Sequence, residues 1–216
     1  VSLPHWILAA SVVLAAALAI RAHYLDAAGR WQVYVFKPLA TLLVLALALA
    51  FPAAPPAYRY ALLAGLALST AGDVFLMLPR ERFVAGLASF LGAHLCYLYA
   101  FGFGVPFGAS ALALPFSVAA GVVLALIWRG LTPRLRVPVI VYVVVIALMA
   151  GQAAARWELL RDAATLSAAL GAALFMASDA LLAIDRFRAR FASARALTLA
   201  SYWAAQLLIA LSLAVW

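Results

Sequence analysis

Eight apolar runs follow one another through the sequence, each about 18–22 residues long, the length a helix needs to cross a bilayer. Inside hydrocarbon every backbone polar group must be satisfied by the protein, so a crossing segment is a helix or a strand of a closed barrel. Barrel strands alternate apolar and polar residues over about ten positions. These runs are continuously apolar, so the expected fold is all-α and integral to the membrane. Composition closes the soluble alternative. Of the 216 residues 69% are hydrophobic and 10% charged, where a soluble domain carries about 25% charged residues. The formal charge of +8 sits between the runs, where it reports orientation and not a nucleic-acid surface. The single cysteine, Cys96, lies within a run, has no partner for an intrachain disulfide, and reads as a small core residue.

Helices are predicted over about Trp6–His23, Tyr34–Phe51, Tyr58–Leu78, Phe83–Phe103, Ala109–Trp128, Val137–Ala155, Asp162–Ile184 and Ala194–Val215. Pro52, Pro55, Pro56, Pro79, Pro106 and Pro133 fall in the connections, where proline stops a helix. Pro38 and Pro138 are expected near the starts of the second and sixth helices, where a missing N–H costs little. The first run lacks a basic segment before its core and is followed by seven more, so it reads as a span and not a leader. Twelve of the fifteen Lys and Arg, Lys37 among them, follow the first, third, fifth and seventh helices; only Arg59, Arg156 and Arg161 face the other way. The positive-inside rule then places the twelve in the cytoplasm of a bacterial inner membrane, with both termini outside.

The third run contains a carboxylate, in Ala71-Gly72-Asp73-Val74-Phe75. An ionisable side chain inside a span is costly and marks a candidate functional site. The stretch recurs as Ala177-Ser178-Asp179-Ala180-Leu181. Aligning the two aspartates at a shift of 106 residues matches Gly65, Ala67, Leu68, Ala71, Asp73, Leu76 and Arg80 with Gly171, Ala173, Leu174, Ala177, Asp179, Leu182 and Arg186. The shift equals four helices, so the halves, about 1–105 and 106–216, are expected to be parallel four-helix repeats with the third and seventh helices facing each other. Each aspartate is then about five residues from the cytoplasmic end of its helix, or about 7–8 Å deep. Taken singly, each reads equally as a hydrogen-bonded packing residue. Two at matching depth favour a shared polar site.

Ser69 lies one turn before Asp73, and Ser178 adjoins Asp179. Phe90, His94, Tyr97 and Phe101 share one face of the fourth helix. His94 is the one histidine in a central span; alone it reads more often as a hydrogen-bonded packing residue, and beside Asp73 it reads as a proton handler. Thr198, Tyr202 and Gln206 share a face of the eighth helix, as interhelical glue or as part of the site. Lys37, with Thr41 a turn deeper, reads either as a snorkelling cation or as one that neutralises an aspartate or contacts a lipid phosphate. Glu81, Glu158, Asp162 and Asp185 sit at helix ends and are expected in water. No H-E-x-x-H motif or histidine cluster suggests zinc, and no glycine-rich phosphate loop or G-x-S-x-G elbow is present. No cofactor or metal is expected.

Gly72-Asp73-Val74-Phe75-Leu76-Met77, Phe83-Val84-Ala85-Gly86-Leu87-Ala88-Ser89-Phe90 and His94-Leu95-Cys96-Tyr97 resemble the YhhN-like lysoplasmalogenase family. So do Leu174-Phe175-Met176-Ala177-Ser178-Asp179, Tyr202-Trp203-Ala204-Ala205-Gln206 and Lys37-Pro38-Leu39. The resemblance runs from the second helix to the eighth and is most specific over the third and fourth. It implies a multispan hydrolase that cleaves the vinyl ether of lysoplasmalogens into a fatty aldehyde and a glycerophospho-headgroup. The family's two membrane aspartates fall on Asp73 and Asp179, and the partner is a single-chain ether phospholipid in the membrane.

Vinyl ether hydrolysis protonates carbon and forms an oxocarbenium ion that water attacks. Glycosidases meet a similar demand with one carboxylic acid and one carboxylate. The expected division is one aspartate as general acid and the other stabilising the cation or activating water, with Lys37 holding one carboxylate or touching the phosphate. His94, Tyr97, Tyr202 and Gln206 would line the pocket. The alternative is a proton-coupled transporter of small solutes or lipids using the same pair. Such carriers favour helices broken by Gly or Pro at the site, and the third and seventh helices have no internal proline.

Overall fold

Each apolar run becomes a helix because only an intrasegment hydrogen-bond ladder satisfies a backbone in hydrocarbon. A computed structural model of the chain describes residues 2–26, 29–78, 82–108 and 110–214. Among these residues the helices are α1 (Leu3–Ala22), α2 (Trp31–Leu49), α3 (Pro56–Met77), α4 (Phe83–Phe101), α5 (Ala113–Ile127), α6 (Pro133–Leu160), α7 (Ala163–Phe187) and α8 (Ala194–Leu211). A 3-10 turn, Trp128–Gly130, continues α5. All eight are long and apolar enough to cross a membrane, and the protein is an all-α integral membrane protein. Pro79, Arg80 and Glu81, and the helix ends expected at Ala109 and Val215, lie outside the described residues.

Some helices run further than expected. α2 and α6 begin at Trp31 and Pro133, so Pro38 and Pro138 lie inside them and not at their starts. Each removes one ladder N–H, a cost that a buried helix in a packed bundle tolerates. α3 stops at Met77 because Leu78 precedes a proline and is extended (φ −57, ψ 147). α7 meets no proline and continues to Phe187. Asp73 is therefore four residues from its helix end and Asp179 eight, so the two ends do not match. Cys96 is only half buried, so it is not a core residue.

Packing closes six helices into a ring: α2 on α3, α3 on α4, α4 on α6, α6 on α7, α7 on α8, and α8 on α2. α1 packs outside the ring against α2 and α8, and α5 against α6 and α7. The principal neighbours of α3 are α4 and α2; those of α7 are α8 and α6, so the third and seventh helices do not form a main packing pair. α1 seals its side with small residues, burying Val12, Ala15, Ala16 and Ala19. α5 buries only Ala120 and Ile127. Glycine brings the tightest pairs together. A Cβ at Gly65 would sit 2.3 Å from the Tyr97 ring of α4, and one at Gly171 would sit 2.9 Å from the Ala205 carbonyl of α8.

Candidate active site

The aspartates occupy two different polar clusters. Asp73, its side chain 3% exposed, is held from α2 and α8. Lys37 Nζ lies 3.2 Å from Oδ1 and 3.4 Å from the Asp73 carbonyl. Thr41 Oγ1 and Tyr202 OH donate to Oδ2 at 2.7 and 2.8 Å. The network continues outward. Trp203 Nε1 donates to Thr41, Gln206 Nε2 donates to the Tyr202 hydroxyl, and Tyr97 OH donates to Gln206 Oε1. Ser69 is fully buried beside the Tyr97 hydroxyl. Lys37 is buried against Asp73, which removes it from the charges that report orientation and from any contact with a lipid phosphate.

Asp179 is placed by α7 against α6 and α4. Tyr142 OH donates to its Oδ2 at 2.5 Å, and His94 Nε2 lies 3.8 Å from the same oxygen. His94 thus stands beside Asp179 and not beside Asp73, because its face of α4 turns toward the neighbouring α6. Its imidazole is fully buried and clamped edge-on by Phe175 (4.7 Å) and Tyr142 (5.1 Å). Among the described residues neither ring nitrogen makes a hydrogen bond. A buried, unsatisfied imidazole calls for an explanation such as an ordered water or a bound group. Ser178 donates to the Thr198 carbonyl of α8 and serves the α7–α8 contact instead of Asp179.

Asp179 alone of the two opens into a cleft. The cleft holds about 770 Å³ of empty space, counting the part open to the outside. Leu76 of α3, Phe83, Leu87 and Phe90 of α4, Ala120 and Ile127 of α5, Val139, Tyr142 and Ile146 of α6, and Met176, Ala183 and Arg186 of α7 line it with Asp179. The Asp179 side chain is 18% exposed there. Between the two clusters stands an aromatic wall. Phe90 and Phe175 both pack edge-on against Tyr202, at 5.8 and 5.4 Å, and Phe175 also abuts His94. Tyr97, Tyr202 and Gln206 lie on the Asp73 side of that wall. Asp179 is the ligand-type side chain that lines the cleft, with His94 buried next to it, and among the described residues no three His, Cys, Asp or Glu come together.

Tyr142, which donates to Asp179 and lines the cleft, is the candidate-site residue that sequence reasoning missed. Its signal was present, as the only hydroxyl in the run from Val137 to Ala150. Thr41 and Trp203 join the Asp73 cluster in the same way, visible as polar atoms on buried helices but without a predicted partner.

The sequence matches the YhhN family model over residues 32–213. It is 34% identical over 211 residues to the uncharacterized membrane protein YhhN of Escherichia coli O157:H7, covering 94% of this chain and 96% of that one. It is 37% identical over 155 residues to the human lysoplasmalogenase TMEM86B and 37% over 152 residues to the bovine lysoplasmalogenase TMEM86A. Those matches cover 72% and 68% of this chain, but 64% and 62% of the lysoplasmalogenases. No solved structure matches it significantly. With the family model matched across nearly the whole ring of helices, and a full-length relative at this identity, the chain belongs to the YhhN family.

Proposed function

We propose that the chain hydrolyses the vinyl ether bond of a lysoplasmalogen, releasing a fatty aldehyde and a glycerophospho-headgroup. One observation carries this reading: a cleft lined almost wholly by apolar side chains presents one carboxyl, Asp179, hydrogen-bonded to Tyr142, with the buried His94 imidazole and its unused nitrogens 3.8 Å from that carboxyl. An alkenyl chain suits such walls, and the carboxyl is the proton-bearing group that they surround. The relatives named lysoplasmalogenase support the same reading.

In this mechanism the Asp179 carboxyl gives its proton to the β-carbon of the vinyl ether. The double-bond electrons form the new C–H bond, leaving an oxocarbenium ion beside the Asp179 carboxylate. Water held near His94 attacks the carbon bonded to oxygen and passes one proton to the imidazole. In the collapse of the resulting hemiacetal the imidazolium protonates the departing glycerol oxygen and the Asp179 carboxylate takes the hydroxyl proton, which yields aldehyde and glycerol hydroxyl, restores both groups and leaves a net uptake of one water. Tyr142 orients the carboxyl. Asp73, paired with Lys37, is the second carboxylate of the family pair and acts through Tyr202 and the aromatic wall. α3 and α7 run unbroken past both aspartates, which suits a fixed pocket better than a moving carrier gate.

The halves 1–105 and 106–216 belong to this proposal as parallel repeats. A shift of four helices turns each contact of the six-helix ring into another contact of the ring. The arginine-rich end of the bundle, which carries Arg186, faces the cytoplasm of the inner membrane, with both termini outside.

The test is aldehyde release from a lysoplasmalogen by the purified protein. Asp179→Asn is expected to release none while unfolding at the wild-type temperature. Full activity in that variant would remove Asp179 from the reaction.

A further inference from the structure

We propose that Arg186 is the receptor for the phosphate of the lipid, and that Asp179 and Arg186 together measure the substrate along α7. This rests on the lysoplasmalogenase reading of the same cleft. Among the described residues lining the cleft, Asp179 and Arg186 are the only charged ones. They are seven residues apart on one helix, so both project into the cleft, separated by about 10.5 Å of axial rise. From the carbon that takes the proton to the phosphorus, a lysoplasmalogen has seven bonds, on the order of 9 Å when extended. A lipid with its phosphate at Arg186 therefore brings its vinyl ether to Asp179. Its chain then continues past Met176, Ile146 and Phe90, which line the cleft beyond Asp179.

Arg186 is built for such a site. Its guanidinium carbon lies 3.9 Å from the centroid of the Phe83 ring and 5.9 Å from that of Phe187. The Phe83 ring holds the guanidinium over its face, and a planar fork binds phosphate oxygens in pairs. Lys37, the other candidate for this contact, is buried against Asp73 outside the cleft.

The experiment measures binding of two non-cleavable probes to the full chain in detergent. One is a saturated 1-O-alkyl lysophospholipid; the other is the 1-O-alkylglycerol of the same chain, which lacks the phosphate. Wild type is expected to bind the phosphate lipid at least tenfold more tightly. Arg186→Gln should reduce it to the alkylglycerol level and leave alkylglycerol affinity unchanged, which also reports folding. Where the Gln variant misfolds, Arg186→Lys decides, because it keeps the charge but loses the stacked fork; it should weaken the phosphate lipid alone. Wild-type affinity for the phosphate lipid in either folded variant overturns the site. Inorganic phosphate should not displace the lipid; displacement would assign Arg186 to a free anion and overturn the lipid site. Aldehyde release is read in parallel. Phosphate-dependent binding that Arg186→Gln abolishes, with no aldehyde from wild type, keeps the phosphate site and overturns the hydrolase reading. Aldehyde from both proteins at the same KM keeps the hydrolase and overturns the phosphate site.

Discussion

Asp73 and Asp179 sit in similar sequence and are held in opposite ways. Asp73 has a cation and two hydroxyl donors and is sealed; Asp179 has the Tyr142 hydroxyl and a cleft. Removing one partner of a buried pair costs more than the pair contributes, because it strands the other charge. Lys37→Met is therefore expected to destabilise the protein by about 3–5 kcal/mol, read as thermal unfolding in detergent. Asp73→Asn should cost a similar amount: its amide oxygen still accepts from Thr41 and Tyr202, but its NH2 then faces the stranded Lys37 ammonium. Equal stability of Lys37→Met and wild type would show that the pair contributes nothing. The sequence could mark both carboxylates, because an ionisable group in an apolar run stands out. It could not assign Lys37 to one and His94 to the other, because that depends on which way α2 and α4 are turned in the ring.

At the level of helices, close approach depends on missing side chains. Gly171 lets α7 reach the α8 backbone, and an added methyl would meet the Ala205 carbonyl at 2.9 Å and Ile209 at 2.8 Å. A backbone carbonyl yields less readily than a side chain, so Gly171→Ala is expected to cost about 1–3 kcal/mol. The check is unfolding temperature together with aldehyde release, since α7 also carries Asp179. Unchanged values in both would mean that α7 and α8 shift freely. The helix ends show where sequence punctuation suffices. The proline after Leu78 ends α3, as read, whereas α7 passes its expected end at Ile184 and runs on to Phe187. That extension keeps Asp185–Phe187 helical and so sets Arg186 in register with Asp179.

Across the whole molecule, the ring treats its two outer helices differently. α1 packs on α2 and α8, whereas α5 leans on α6 and α7 without comparable contact to α4. The cleft lies on that side, with Ala120 of α5 in its wall. Ala120→Trp is expected to fill the cleft and lower lysoplasmalogen cleavage at least tenfold in protein that still unfolds cooperatively, at a lowered temperature because Ala120 is buried. Wild-type cleavage in a stably folded variant would place the substrate elsewhere.

Hydrophobicity along the chain sufficed for eight spans, an all-α membrane fold and the two aspartates, because a bilayer admits few solutions and penalises buried charge. It also carried the family resemblance. The partners of each aspartate, the choice of Asp179 as the one facing a cleft, and the positions of Tyr142 and Arg186 beside it came from tertiary packing. The reason is physical: between helices in lipid the apolar pattern is nearly uniform around each cylinder. Rotation and neighbour choice are set by small residues and a few polar contacts, which take effect only once the helices meet.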